Sequence, residues 1–295
     1  MPYVLSVAFT NSRGETANLY SETIGGEHQP NLVQWATGTG GPGVKINKIS
    51  PAMTDGSVLN GIYLGDRLLR VEGMVFGETD EERDINMRKL NAILDPRLGE
   101  GTITYTDHAG KYTIRGVCDT LPSFQKSSKL AFWKPILIDF LCSLPLWRGQ
   151  DRNYFRIAYT EGGFRLPFKI PFRLGKQGFF AVVNNPYGTA VPIELRIRGP
   201  ADKPRLTNVT TGQAIQVNRT LSENELLEID TYYQTVHVTD LSTNTTTQAD
   251  GYIDLVASDW IWLEPGDNEL RYSSQNDPLR TVVDGFFSDW YIGVG

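Results

Sequence analysis

The sequence predicts a mainly β protein with a single long helix. Three observations carry that expectation. Short runs of β-branched and aromatic residues recur along the chain, bounded by Gly, Asp and Asn. The stretch GTITYTDHAGKYTIRGV reads as a hairpin, with Ile103 and Tyr105 alternating with threonines and DHAG as its turn. Only GETDEERDINMRKLNAILDPRLGEG, residues 77–101, has the period and punctuation of a long helix.

In chain order, the strand candidates YVLSVAF, GVKINKIS and RLLRVEGMVF come first. The helix follows over 79–95. Thr79 and Glu82 fit a capping box. Asp80, Glu81 and Glu82 sit at the positive end of the helix dipole, with Arg88 and Lys89 later. Met87, Leu90 and Leu94 share one face, Ile85 and Ile93 lie at its margins, and Asp95-Pro96 stops the helix. A helix of this kind covers the open face of a sheet.

The hairpin comes next, with Gly110 able to take positive φ. The apolar run Leu130–Leu144 is too short to cross a membrane and reads as a strand buried on both faces and bent at Pro135. From Arg148 to Lys176 seven basic residues face only Asp151 and Glu161, a shift that puts a domain boundary near residue 150. The expected domains are 1–149 and 150–295. In the second, FFAVV, PIELRIR, RLTNVT, QAIQV, ELLEID, QTVHVTD, YIDLVA, WIWL, NELRYS and WYIG recur at the spacing of a sandwich, and LSTNTTTQADG reads as an exposed turn.

Composition narrows the function classes. Hydrophobic residues make up 40% and charged residues 21% of the 295, enough to bury a real core. A formal net charge of −6 argues against a general nucleic-acid binder, which needs Lys and Arg to meet phosphates. Cys118 and Cys142 are too few for a disulfide framework and sit in apolar runs, so reduced core thiols are expected. Neither a signal peptide nor a membrane span is legible, and folding in a reducing cytosol is the simplest expectation.

The motifs that could carry chemistry are weak. GTGGPG, Gly38–Gly43, matches G-x-G-x-x-G, but strand-like VKINKIS follows where a helix is needed and Pro42 lacks an N–H. It reads as a flexible loop, and no cofactor is expected. His28, His108 and His237 have no partners at metal-ligand spacing. Glu223, Glu225, Glu228 and Asp230 would suit a two-carboxylate glycosidase, yet a solvated strand face accounts for them more simply. Trp260 and Trp262 alternate with Ile261, so both indoles face one side. That side could stack on sugars or meet a protein, but a core position is the favoured reading.

Taken in order, the segments resemble the distal tail protein (Dit) family of siphophages. In the N-terminal half DGSVLNGIYLGDRLLRVEGMVFG leads into the helix, then come LNAILDPRLGEGTITYTD, YTIRGVCDTLPSF and FLCSLPLW. In the C-terminal half the likeness rests on NNPYGTAVPIELRIRGPADKPRLTNVTTGQAIQV, ELLEIDTYYQTVHV and WLEPGDNELRY. The resemblance implies an N-terminal β-sandwich with one helix and a long hairpin, and a C-terminal galectin-like β-sandwich. It implies a hexameric ring at the virion tail tip, made and assembled in the host bacterial cytoplasm. The ring would join the tail-tube protein to the tail-tip hub protein, with a receptor-binding protein as a further partner and a lumen for DNA. It implies no catalysis, no sequence-specific nucleic-acid binding and no membrane.

The candidate interaction residues are Lys48, Asp55 and Gly56 in the segment Lys48–Gly65, Arg83, Asp84 and Arg88 on the outer helix face, and Trp260 and Trp262. The competing reading is a carbohydrate-binding module for host adhesion. The galectin sugar motif H-x-N-P-R does not support it: Asn185 and Pro186 fit, but Val183 stands for the His and Tyr187 for the Arg.

Overall fold

A computed structural model describes residues 6–21, 31–50, 55–124, 133–160, 178–275 and 281–294. The chain divides into two compact units, Met1–Gln150 with Tyr291–Gly295, and Asp151–Trp290. The sequence reading assigns residues 291–295 to the second domain; the structure returns them to the first.

The first unit contains strands β1 (Ser6–Thr10), β2 (Thr16–Ser21), β3 (Asn31–Thr37), β4 (Val44–Ile49), β5 (Val58–Leu64), β6 (Arg67–Phe76), β7 (Gly101–Thr106), β8 (Lys111–Phe124), β9 (Trp133–Cys142) and β10 (Trp147–Gly149), with helix α1 (Asp80–Ile93). One antiparallel sheet runs β2-β1-β7-β8-β9-β6-β3. Its end strands β2 and β3 lie side by side, so the sheet curls around its own apolar face. Period-2 alternation sets that face: Ile103 and Tyr105 on β7 point inward, as do Ile136, Ile138, Phe140 and Cys142 on β9. Phe9 stacks on Phe140 at 5.1 Å between centroids.

β9 is therefore buried on one face, not on both, because Leu137, Asp139 and Leu141 alternate to a half-buried side. Its register against β6 runs unbroken through Pro135, opposite Met74, and among the described residues its pairing to β8 begins at Ile136. Gly110 does not use positive φ. The Asp107 carboxylate holds that turn instead, accepting the N–H groups of Ala109 at 2.8 Å and Gly110 at 3.0 Å.

The helix is capped as the sequence predicts. Thr79 Oγ1 accepts the Glu82 N–H at 3.1 Å, and the Glu82 carboxylate reaches back to the Glu78 N–H at 2.9 Å. Leu90 and Leu94 are buried, Met87 and Ile93 pack half-buried against the same core, and Ile85 is exposed.

The second unit contains β11 (Asn153–Thr160), β12 (Gly178–Asn185), β13 (Val191–Pro192), β14 (Glu194–Arg198), β15 (Ala201–Asp202), β16 (Arg205–Asn208), β17 (Ala214–Gln216), β18 (Thr220–Leu221), β19 (Glu225–Asp230), β20 (Thr235–Asp240), β21 (Thr245–Gln248), β22 (Trp262–Leu263), β23 (Gly266–Ser273) and β24 (Val282–Phe287). β25 (Trp290–Tyr291) is where the chain passes back to the first unit. β11 belongs to two layers: Asn153–Ile157 pair with β24, and Ala158–Thr160 pair with β12. One layer continues β24-β14-β19-β20-β21 and the other β12-β23-β16-β17. Leu195, Ile197, Leu227, Ile229, Leu206 and Leu270 fill the interior. Thr245–Gln248, expected in a turn, instead form the edge strand β21. Thr239 on β20 and Thr246 on β21 meet hydroxyl to hydroxyl at 2.9 Å.

Both cysteines are buried and free. Burial pushes the Cys118 thiol up to about 11 and the Cys142 thiol up to about 12. Raised values keep both protonated at neutral and mildly alkaline pH, where reactive thiolate is scarce. A disulfide-exchange reagent at about pH 8 should label neither thiol in the native protein and both after denaturation. Labelling of the native chain would contradict this placement.

Candidate functional site

Strands β4 and β5 form a two-stranded sheet of their own, paired with no other strand among the described residues. Val44 lies opposite Leu64, and Ile46 opposite Ile62. A bulge after Asn47 then sets Lys48 opposite Leu59 and Ile49 opposite Val58. Directly opposed residues share a face, so Val44, Leu64, Ile46, Ile62 and Leu59 make one apolar stripe. Every large apolar side chain of both strands is exposed, including Ile46 at 54% and Ile62 at 59%. A lone hairpin is marginal in water, and contiguous exposed apolar surface marks an interaction site. The pair is an arm.

The sequence reading starts the arm at Lys48; the structure starts it at Val44, because VKINKIS is the partner strand of VLNGIYL. Lys48, Asp55 and Gly56 are exposed on the arm or near its tip, and Gly56 takes φ +93°. Residues 51–54 lie outside the described residues.

The base of the arm is built around Arg67, the first residue of β6. Its side chain is 1% exposed. Nε donates to the Pro145 carbonyl at 2.9 Å, Nη1 donates to the carbonyls of Gly38 and Gly40, and Nη2 donates to the carbonyl of Ile292. The guanidinium carbon lies 5.7 Å from the ring centre of Trp147. Trp147 Nε1–H donates to the Thr39 carbonyl at 3.2 Å, and the Val294 N–H donates to the same oxygen at 2.9 Å. The Gly65 N–H closes on the Gly43 carbonyl, joining the two feet of the arm.

GTGGPG is thus an ordered cradle, not the flexible loop expected. It presents carbonyls to a cation, the reverse of the N–H groups that a dinucleotide loop offers to phosphate. Arg67 escaped sequence reasoning, although the signal is present. In RLLRV, period 2 places Arg67 on the inward side with Leu69 and Val71, both buried.

The other candidates fall elsewhere. The Arg83 side chain is only 11% exposed and is paired with Asp80 and with Asp84 at 3.0 Å, so it is folded onto its own helix; Arg88 is exposed. Between Trp260 and Trp262 it is Ile261 that is fully buried, while both indoles are half-buried. Full burial belongs to the neighbouring isoleucine, and the tryptophans sit at the margin of the core. The Trp262 ring meets Trp290 edge-on at 5.5 Å.

The carboxylates considered for catalysis have structural partners. Glu225 pairs with Arg219 at 2.6 Å and accepts the Ser222 N–H at 2.7 Å. Glu228 pairs with Arg196 at 3.1 Å. Asp230 accepts the N–H groups of Tyr232 and Tyr233. Glu228 belongs to a cross-strand row Arg156, Asp284, Arg196, Glu228, His237. There the hydrogen bonds from Arg156 hold the Asp284 carboxyl below its usual range. No cluster of His, Cys, Asp and Glu that could hold a metal occurs among the described residues. His28 lies outside them.

Residues 30–142 match the family model of the phage tail protein RIFT-related domain. Residues 186–283 match that of the siphovirus-type tail component, C-terminal domain, represented by SPP1 Dit. The chain belongs to the siphovirus Dit family. The Dit fold extends over both units: the crystal structure of phage SPP1 Dit (gp 19.1) superposes with a TM-score of 0.69 at 16% identity, covering 98% of this chain and 99% of that one. Chains from the phage P2 baseplate, in its activated conformation with Ca and with Sr, give TM-scores of 0.58 and 0.57 at 11% and 10% identity, with 100% of each chain covered. No curated protein matches in sequence. As a Dit protein the chain is a structural tail component and not an enzyme.

Replacing Arg67 with Met keeps much of the bulk but strands buried carbonyls without donors. The unit should lose at least about 3 kcal/mol, the scale of several unmade buried hydrogen bonds. Denaturant unfolding of Arg67→Met measures this, and an unchanged midpoint would contradict the role given to Arg67.

Proposed function

We propose that this Dit protein forms a closed homo-oligomeric ring, most simply a hexamer, in which the arm of each subunit lays its apolar stripe on the next. The observation that carries the reading is the exposed stripe Val44, Ile46, Leu59, Ile62 and Leu64 on a hairpin that pairs with no other strand among the described residues. A cyclic head-to-tail ring needs two different complementary surfaces per subunit, and the arm supplies one of them.

The ring would sit at the virion tail tip, joining the tail-tube protein to the tail-tip hub protein around a lumen for DNA. The similar proteins support that setting. SPP1 Dit is described as a paradigm of the hub adsorption apparatus, and the other similar chains are parts of a phage baseplate. A receptor-binding protein is a further partner in this reading, with assembly in the host bacterial cytoplasm. The carbohydrate-binding alternative gains nothing from the structure, since the Trp262 ring is already engaged by Trp290.

The double substitution Ile46→Asp and Ile62→Asp places charge in the middle of the stripe. Losing two buried aliphatic contacts should weaken subunit association at least about 100-fold and leave folded monomers. Native mass spectrometry with circular dichroism reads both outcomes. Full-size oligomers in the variant would remove the arm from the interface.

A further inference from the structure

Both feet of the arm stand beside Arg67. The chain enters β4 through Gly38–Gly43 and leaves β5 through Gly65-Asp66 directly into Arg67. By itself the lead-in loop has little to give it a direction. A side chain added at Gly40, Gly41 or Gly43 would meet nothing within 4 Å, and glycine carries the widest backbone freedom. Two neighbours confine it. On one side a Cβ at Gly38, whose φ is +88°, would fall 2.1 Å from the Leu68 carbonyl oxygen. On the other lies the segment Tyr291–Val294, which rejoins the first unit after the whole of the second has been traversed.

That returning segment is fitted to the loop. The carbonyl of Ile292 takes one arm of the Arg67 fork that also holds Gly38 and Gly40. The Val294 N–H binds the Thr39 carbonyl at 2.9 Å. A Cβ at Gly293 would lie 2.9 Å from the Gly40 carbonyl carbon, so only glycine lets the two backbones touch. Tyr291 meets Tyr112 edge-on at 5.2 Å, and Tyr291 and Val294 pack half-buried against the first unit's core.

We propose that Tyr291–Val294 is the wedge that sets the direction of the arm, so that a chain becomes competent to assemble only when this segment has docked. The inference rests on the reading of the arm as the subunit contact. It gives Gly293 and Arg67 positioning roles for assembly, since a contact element held in its bound direction loses less freedom on docking. It also gives assembly an order: nothing synthesised before residue 291 can complete the arm's base.

The test uses the full chain. Spin labels at Lys48→Cys on the arm and Lys89→Cys on the helix report the arm's direction, and the two native thiols are buried. Gly293→Val should broaden the label-to-label distance distribution at least about twofold and weaken oligomer formation at least about tenfold, with the unfolding midpoint held. An unchanged distribution together with unchanged oligomers overturns the proposal. If Gly293→Val lowers the midpoint, the smaller Gly293→Ala is read by the same criteria and decides.

A chain with residues 44–64 replaced by a short Gly-Ser turn separates the two ideas. If it still forms full-size oligomers, the arm is not the contact and the assembly half of the proposal fails with that reading. If it stays monomeric while Gly293→Val and Gly293→Ala assemble like the parent, the wedge alone is wrong.

Discussion

A guanidinium buried among backbone carbonyls is the constraint on which the rest of the first unit depends. A buried charge is costly unless every donor finds a partner. Arg67 approaches the condition without a carboxylate: each of its three nitrogens donates to backbone, to the carbonyls of Gly38, Gly40, Pro145 and Ile292, with the Trp147 face beside it. These oxygens come from three stretches far apart in sequence. One planar fork therefore fixes the lead-in to the arm, the turn before β10 and the returning segment in a single geometry. Lysine offers a point charge and no fork, so it would not tie the same stretches together.

The glycines follow from that geometry. For the carbonyls of Gly38 and Gly40 to converge on one group, the loop must press against the Leu68 backbone on one side and Gly293 on the other. Side chains would hold these backbones apart. The arm shows the opposite balance. Among the described residues its strands have no covering layer, and their large apolar side chains are exposed. Exposed apolar surface of this kind contributes to stability only when something covers it. The hydrogen-bonded base and the uncovered arm are what the proposed ring contact requires.

Much of the fold was legible because it rests on local rules. The capping box at Thr79 and Glu82, the buried pair Leu90 and Leu94, and the hairpin of β7 and β8 each follow from residues close in sequence. The misses arise where distant pairing decides. Thr245–Gln248 are polar enough for a turn, yet β20 recruits them as an edge strand. The run at Leu130–Leu144 looks apolar throughout, but its two faces meet different surroundings. Val44 and Leu64 are twenty residues apart by number, and only their pairing defines the arm. Arg67 was visible as an inward position in RLLRV, but its carbonyl partners, the last of them at Ile292, cannot be read from any local pattern. In the outer row Arg156, Asp284, Arg196, Glu228 the charges are balanced strand by strand, and exposed pairs of this kind contribute little to stability.

In the proposed ring the arm of each copy of this chain closes on the next. Mass measurement of the purified parent protein over a range of concentrations, with negative-stain imaging of the largest species, tests it most directly. The proposed ring gives a discrete closed oligomer, six-fold with a central hole. A monomer at every concentration, or an open fibre of indefinite length, would contradict it.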